Sequence, residues 1–509
     1  MINKVGFDTA KYLQAQIDKI LNRVSKFDKL YLEFGGKLRF DYHASRVLPG
    51  YAPDTKIQIL KKLGGKIEII HCISSKDIDS RKIRNDFGLT YEDQIIKDIN
   101  DLNKLGLPPS AVIINRFSGE NNALKFKQRL ENMGIRVFIG YEIPNYLLDL
   151  DHVLSDEGYG KPEWVSTSKK IIIITAPGPG SGKMSFAMSQ VYQDRKHGIN
   201  SGFAKFETFP IWNLELNHPV NTAYEAATAD LGDYNVVDPY HLAAYGITAI
   251  NYNRDVENFA ILKRLIEKMV GPDDPLAAYK SPTDMGVNMA KEGILDDNVC
   301  KIAAKDEIIR RYFRCQRDFV EGNTPRDTLV RIENIIDKVG VKPEDRSVVE
   351  PARWAASDAE RRKMQGKGHK GIYCGAAIEV YLDNTPQIVL GENSPLMHAE
   401  SAAILNAVKK LSRISDNTLL INRQVIESMI QLKRTFGLST ASLDVKEVLD
   451  VLAASAVTDE NARRCIECLV NLKGCEMHTT HLTNYGDEAP LKQLGINLTT
   501  DAKIPLPTF

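Results

Sequence analysis

The sequence predicts an α/β protein with a mostly parallel N-terminal sheet, a largely helical middle lobe and a C-terminal α+β domain. Three observations carry this expectation. Strand-like and helix-like segments alternate through the first third of the chain. Four consecutive isoleucines, Ile171 to Ile174, lead straight into a Gly- and Pro-rich turn. From Gly371 the pattern changes to two adjacent strands and then a helix. The expected boundaries are 1–250, 251–345 and 346–509.

The N-terminal elements follow from spacing. Leu13, Ile17, Ile20, Leu21 and Val24 recur at helical intervals, so 9–24 is read as an amphipathic helix. K-L-Y-L-E-F, 29–34, alternates as a strand does. Pro53 and Asp54 open a helix running to Leu63, and K-I-E-I-I-H-C-I, 66–73, is the next strand. Helices at 91–105 and 122–133 then alternate with strands at 111–117 and 136–141. This order implies βαβ units.

The stretch K-K-I-I-I-I-T-A-P-G-P-G-S-G-K-M-S-F-A-M-S-Q, 169–190, organises that domain. Apolar β-branched residues at every position suit a strand buried on both faces. Strand, Gly-rich turn, Lys and helix form the layout of a phosphate-cradling loop, in which amide N–H groups, the helix N-terminus and an ammonium all face an anion. The domain is therefore expected to be Rossmann- or P-loop-like. Gly178, Gly180, Ser181, Gly182 and Lys183 are the expected binding residues. The match is degenerate. Pro177 stands at the first Gly position, and Met184 stands where a magnesium-binding hydroxyl is usual. Ser185 falls one residue late, about 100° round the helix. The alternative is a plain Gly/Pro-rich connection from a buried strand to a helix.

A second loop, G-G-K-L-R-F-D-Y-H-A-S-R-V-L-P-G-Y-A-P-D-T-K, 35–56, follows the first strand, where open α/β sheets hold their ligands. Lys37 and Arg46 are expected to neutralise phosphate charge, and Asp41 and His43, with Lys183, to do the chemistry. The bland reading is a solvated loop with ordinary surface charge.

The middle is dense in polar and aromatic residues. Lys205 and Glu207 follow a strand-like segment, 201–206. Asp230, Asp233 and Asp238 could hold a hard cation, though capping and turn use is the commoner role. Helical patterns occupy 256–270, 298–320 and 326–339. Thr283, Asp284 and Asn288 form a compact polar cluster in S-P-T-D-M-G-V-N-M-A, 281–290.

In the C-terminal part, G-I-Y-C-G-A-A-I-E-V-Y-L, D-N-T-P and Q-I-V-L-G read as strand, turn and strand. His398 and Glu400 then open a helix. A hairpin followed by His-Ala-Glu at a helix start resembles the zinc-dependent nucleoside deaminases, over about 371–411. The resemblance implies a deaminase-like fold with the His on zinc and the Glu moving protons. The thiol half of that signature departs from the pattern. Cys465 and Cys468 come 67 residues after His398, follow Arg464 rather than Pro, and lie in a helical stretch. A metal site on His398, Cys465 and Cys468 stands against cysteines that are simply buried apolar residues. A deaminase-like fold without the chemistry is favoured. Cys475, His478 and His481 lie just beyond.

Composition bounds the partners. At roughly 100–200 residues per domain, 509 residues make two to four domains. Sixty-six Lys plus Arg cancel 66 Asp plus Glu, so no global field recruits nucleic acid or a membrane surface. The N-terminus does not resemble a signal peptide, and no apolar run reaches membrane length. Seven scattered cysteines fit a reducing cytoplasm, the expected location.

The two loops, together with K-F-E-T-F-P-I-W-N-L, S-P-T-D-M-G-V-N-M-A and G-C-E-M-H, resemble one bacterial family known as a conserved domain of unknown function, over nearly the whole chain. Some members carry an ATP-dependent peptidase label, which this sequence does not support: it has no H-E-x-x-H and no evident peptidase nucleophile motif. The resemblance implies a fold, a cytoplasmic setting and homo-oligomers, not a reaction. The leading expectation is an enzyme that binds a nucleotide such as ATP with magnesium, or another phosphorylated small molecule, for phosphoryl or nucleotidyl chemistry. The alternatives are a zinc-dependent hydrolase or deaminase, and a non-catalytic regulatory or scaffold protein.

Overall fold

The computed structural model describes residues 5–36, 38–39, 41–84, 89–146, 148–437 and 441–505. The chain divides into two compact units, Val5–Ala304 and Lys305–Phe509, and the division falls within helix Asp297–Val320.

The first unit is built on one seven-stranded sheet in which every neighbouring pair is parallel. Its strands are β1 Lys29–Phe34, β2 Ile67–Ser74, β3 Pro109–Phe117, β4 Val137–Tyr141, β5 Ile171–Thr175, β6 Ser201–Phe206 and β7 Gly286–Val287. Their order is β7-β6-β1-β5-β2-β3-β4. A parallel sheet is covered on both faces, and Ile171 to Ile174 are each 0% exposed, as that cover requires. Around the sheet are helices α1 Thr9–Val24, α2 Thr55–Leu63, α3 Tyr91–Lys104, α4 Asn121–Asn132, α5 Lys183–Lys196 and α6 Asn253–Val270. Helix α6 sinks Phe259, Leu262, Leu265 and Ile266 into the core that also holds the isoleucine strand. The 281–290 segment, read above as a polar cluster, also supplies β7 at the sheet's edge.

Strand order decides where a ligand crevice opens. From β1 the chain crosses to β2 on one side of the sheet, and from β5 it crosses to β6 on the other. Right-handed crossovers in opposite directions lie on opposite faces. The neighbouring carboxyl ends of β1 and β5 therefore flank a topological switch point, the place where such sheets leave room for a ligand. One buried polar group ties the far end of α5 to the amino end of β1. Asp194 of α5 is 0% exposed and accepts bonds from the Lys29 ammonium (3.2 Å), the Tyr31 hydroxyl (2.9 Å) and the Trp164 indole N–H (2.9 Å).

The second unit contains a four-stranded mixed sheet, order β9-β8-β10-β11, with β8 Gly375–Leu382, β9 Thr385–Glu392, β10 Glu476–Thr479 and β11 Asn497–Thr500. Strands β8 and β9 form the expected hairpin, and their turn puts Asp383 and Asn384 at φ 49° and 61°, which Asp and Asn tolerate. Strand β10 runs antiparallel to β8, and β11 runs parallel to β10. Helices α7 Val349–Arg361 and α8 Ala399–Leu411 pack on the hairpin, and α9 Tyr485–Gln493 follows β10. Glycine lets α8 come close: a Cβ at Gly391 would meet the Ala399 carbonyl oxygen at 2.1 Å. Among the described residues, no helix is long and apolar enough to cross a membrane.

Candidate functional site

The turn after β5 ends on Gly182, which precedes α5 with φ 78° in the left-handed region. A side chain there would be strained, and its Cβ would strike the Asn115 side chain at 2.8 Å. Asn115 donates to the Ser181 carbonyl (2.8 Å) and so fixes the turn from β3. The Ser181 hydroxyl bonds back to the Gly178 carbonyl. Gly178 admits the Tyr91 hydroxyl, which would lie 2.3 Å from a Cβ. Gly180 is exposed at the tip. No N-cap side chain bonds the first turn of α5, whose N-terminus carries partial positive charge.

Charge collects beside this turn. Lys183 opens α5 and lies 3.6 Å from Glu33 Oε1, with only 13% of its side chain exposed. Glu33 is level with Lys205 in the register of β1 against β6, and Lys205 is level with Gly286 of β7. Lys205 donates to Asp255 Oδ2 at 2.7 Å. Glu207 follows β6, and one of its carboxylate oxygens would touch a Cβ on Gly286 at 2.8 Å. Burial pushes the Glu207 carboxyl up to about 8; Lys205 opposes that shift, while Asp255 and Glu33 reinforce it. The result is a patch of two ammonium groups and three carboxyls at the switch point, one of the carboxyls largely protonated near neutrality.

An aromatic group adjoins it. Phe209 and Tyr224 stack with centroids 5.1 Å apart, and His43 meets them edge-on at 5.5 and 5.3 Å. Tyr252 closes against Tyr224 at 5.8 Å. Burial raises the Tyr224 hydroxyl to about 12, helped by the charges of Asp41, Asp233 and Glu207. Asp41 itself is committed to structure. It accepts from the Ala44 amide at the start of helix Tyr42–Val47 and pairs with Lys56 at 3.0 Å. Burial works against its charge, but Lys56, His43 and the amide outweigh that and hold the carboxyl below its ordinary value. Arg46 lies in the last turn of the same helix. Lys37 lies outside the described residues.

A second cluster lies in the C-terminal unit. His398 immediately precedes α8, Glu400 is in its first turn, and Asp487 is in the first turn of α9. Ligand atoms of the three lie within 4.8 Å of one another, the one such group of three or more among the described residues. His398 Nδ1 is 2.7 Å from Asp487 Oδ2, and Asp487 Oδ1 accepts from the Val445 amide at 2.9 Å. Glu400 is 0% exposed and takes the Thr479 hydroxyl on Oε1 at 2.7 Å, with His481 Nε2 at 3.3 Å. Its Oε2 is buried with no hydrogen-bond partner.

The chain has sequence relatives along nearly its whole length. It is 44% identical over 503 residues to a UPF0371 protein of Clostridium tetani, covering 99% of this chain and 98% of the relative. A UPF0371 protein of Fusobacterium nucleatum matches at 44% and one of Clostridioides difficile at 43%, each with the same coverage. The family model "Domain of unknown function DUF1846, N-terminal" matches residues 5–340, and its C-terminal counterpart matches 344–506. The chain belongs to the DUF1846 family.

In this DUF1846 protein the sequence-derived residues fall in three groups. Gly178, Gly180, Ser181, Gly182 and Lys183 form one turn at the switch point. His43 packs on the Phe209 and Tyr224 rings, and Asp41 is held by Lys56 and the Ala44 amide. His398 joins Glu400 and Asp487 rather than the thiols. Cys465 is in the apolar core of the second unit, and Cys468 is 3.2 Å from the Ser412 hydroxyl. The Ser185 hydroxyl lies close to the Tyr146 and Tyr159 hydroxyls. Two of the three middle aspartates serve structure. Asp238 caps helix Pro239–Tyr245, and Asp233 pairs with Arg254 at 2.7 Å. Sequence reading did not assign Glu33, Lys205, Glu207 or Asp255 to the N-terminal site, nor Asp487 to the C-terminal cluster. Only Lys205 and Glu207 carried a signal, as polar residues at a strand end.

Proposed function

We propose that the N-terminal unit binds a phosphorylated small molecule at the carboxyl ends of β1, β5 and β6, and that Glu207 exchanges a proton with it. The observation that carries this reading is the uncapped first turn of α5, which opens behind left-handed Gly182 with Lys183 beside it at the switch point. Phosphate oxygens would take the first-turn amides of α5 and draw the Lys183 ammonium away from Glu33. Glu207, held near about 8, is suited to giving up or accepting a proton near neutral pH. The stacked Phe209 and Tyr224 rings offer a flat apolar wall to the rest of the ligand.

A phosphate monoester suits this arrangement better than a magnesium nucleotide. Met184 occupies the place of the metal-binding hydroxyl, and Ser185 falls one residue late. Glu33, Glu207 and Asp255 are not drawn together as an ion-binding group. The parallel sheet and its switch point support a P-loop-like reading of the N-terminal unit. The hairpin and the following His398–Ala399–Glu400 turn support a deaminase-like reading of the second.

Thermal-shift titration tests the proposal, with inorganic phosphate, sugar phosphates, AMP, and ATP with and without magnesium. A specific ligand at 100 times its Kd adds about 2.7 kcal/mol of stability. Lys183→Ala should abolish the shift. Absence of a shift with every phosphorylated compound ends the proposal.

A further inference from the structure

We propose that His398, Glu400 and Asp487 bind a divalent first-row transition cation, with His481 completing the set and no thiol taking part. Three features carry this inference. The first is convergence: an imidazole nitrogen and two carboxylate oxygens from two helices lie within 4.8 Å of one another. The second is burial: Glu400 is 0% exposed, and only 1% of the Asp487 side chain is accessible. Two acidic groups sealed so close together are stabilised by a positive centre between them. The third is the orphan oxygen. Glu400 Oε2 has no hydrogen-bond partner, although the residue is fully enclosed. A buried carboxylate oxygen left this way is costly, and coordination to a cation satisfies it.

The surroundings hold the ligands as metal sites usually do. Thr479 donates to Glu400 Oε1 (2.7 Å) and lies 3.1 Å from His481 Nδ1, so that one hydroxyl orients both residues. The Val445 amide fixes Asp487 through Oδ1 and leaves Oδ2 for the cation, which would replace the proton now shared with His398 Nδ1. Mixed imidazole and carboxylate donors favour zinc, manganese or iron(II) over calcium and magnesium, which take mostly oxygen. The opposing possibility is two self-contained pairs, His398 with Asp487 and His481 with Glu400. That arrangement leaves Oε2 unsatisfied.

The test uses the full chain, stripped with a chelator and dialysed against zinc or manganese. Elemental analysis should find about one ion per chain. Glu400→Gln and Asp487→Asn should each weaken binding by about tenfold or more. Cys465→Ser and Cys468→Ser should leave it unchanged. Circular dichroism establishes that each variant is folded. Should Asp487→Asn fail to fold, the spectrum of the cobalt-loaded wild type decides: visible bands without a thiolate charge-transfer band support the proposal, and a thiolate band overturns it. Retention of neither metal by the wild type, or undiminished binding by folded Glu400→Gln, also overturns it.

Discussion

Lys183 and Glu33 face each other at the switch point, with Nζ 3.6 Å from Oε1, while Glu33 Oε2 is buried without a hydrogen-bond partner. The ammonium is therefore held by a loose pair rather than a closed one. A carboxylate at this position keeps Lys183 in place and also competes with any anion that arrives at α5.

Glu33→Gln should tighten phosphate binding. Removing the competing charge from a pair of this length and exposure is worth on the order of 1 kcal/mol, about a fivefold change in Kd. Thermal-shift titration of the variant against wild type measures it. An unchanged or weaker affinity would show that Lys183 does not leave Glu33 for the ligand.

Glu207 makes stability depend on pH in an unusual direction. Its folded-state carboxyl is raised from about 4.5 to about 8, so between those values the folded chain holds a proton that the unfolded chain has lost. Stability from this group is thus intact at acid pH, falls as pH rises through that window, and is lowest above it. Glu207→Gln should remove the decline. Urea unfolding at pH 5 and pH 8.5 should show the variant gaining on the order of 1–2 kcal/mol relative to wild type at the higher pH.

Asp194 should be worth far more to the fold than an exposed acid. Asp194→Ala strands the buried Lys29 ammonium together with the Tyr31 and Trp164 donors. A loss of about 3–5 kcal/mol is expected in urea unfolding. Asp156→Ala is the comparison, because its pair with Lys196 is 84% and 47% exposed. That change should cost less than about 1 kcal/mol.

The parts of this architecture that were legible in the sequence are those that repeat. Ile171 to Ile174 announced a strand covered on both faces, and Asp383-Asn384 announced the hairpin turn. Those patterns are local, set by burial period and by the backbone angles that particular residues tolerate. Strand β7 was missed because Gly286 and Val287 are too short to show a period. The carboxylate neighbours of Lys183 were missed for a different reason. Glu33 and Lys205 become adjacent only through lateral register, which spacing along the chain does not encode. Asp487 is likewise 89 residues from His398. The cysteine pair drew notice because its spacing is conspicuous, yet Cys465 is in an apolar core.

Gly391 sets how deep one of these centres lies. Because it has no methyl group, the backbone of α8 rests directly on β9, and Glu400 is carried inward with it. Any larger residue at 391 would act as a shim between helix and strand. It would lift the His398–Glu400 turn toward water while leaving every candidate ligand in the sequence untouched. An inventory of coordinating side chains alone would therefore overlook the position that governs whether they are dry.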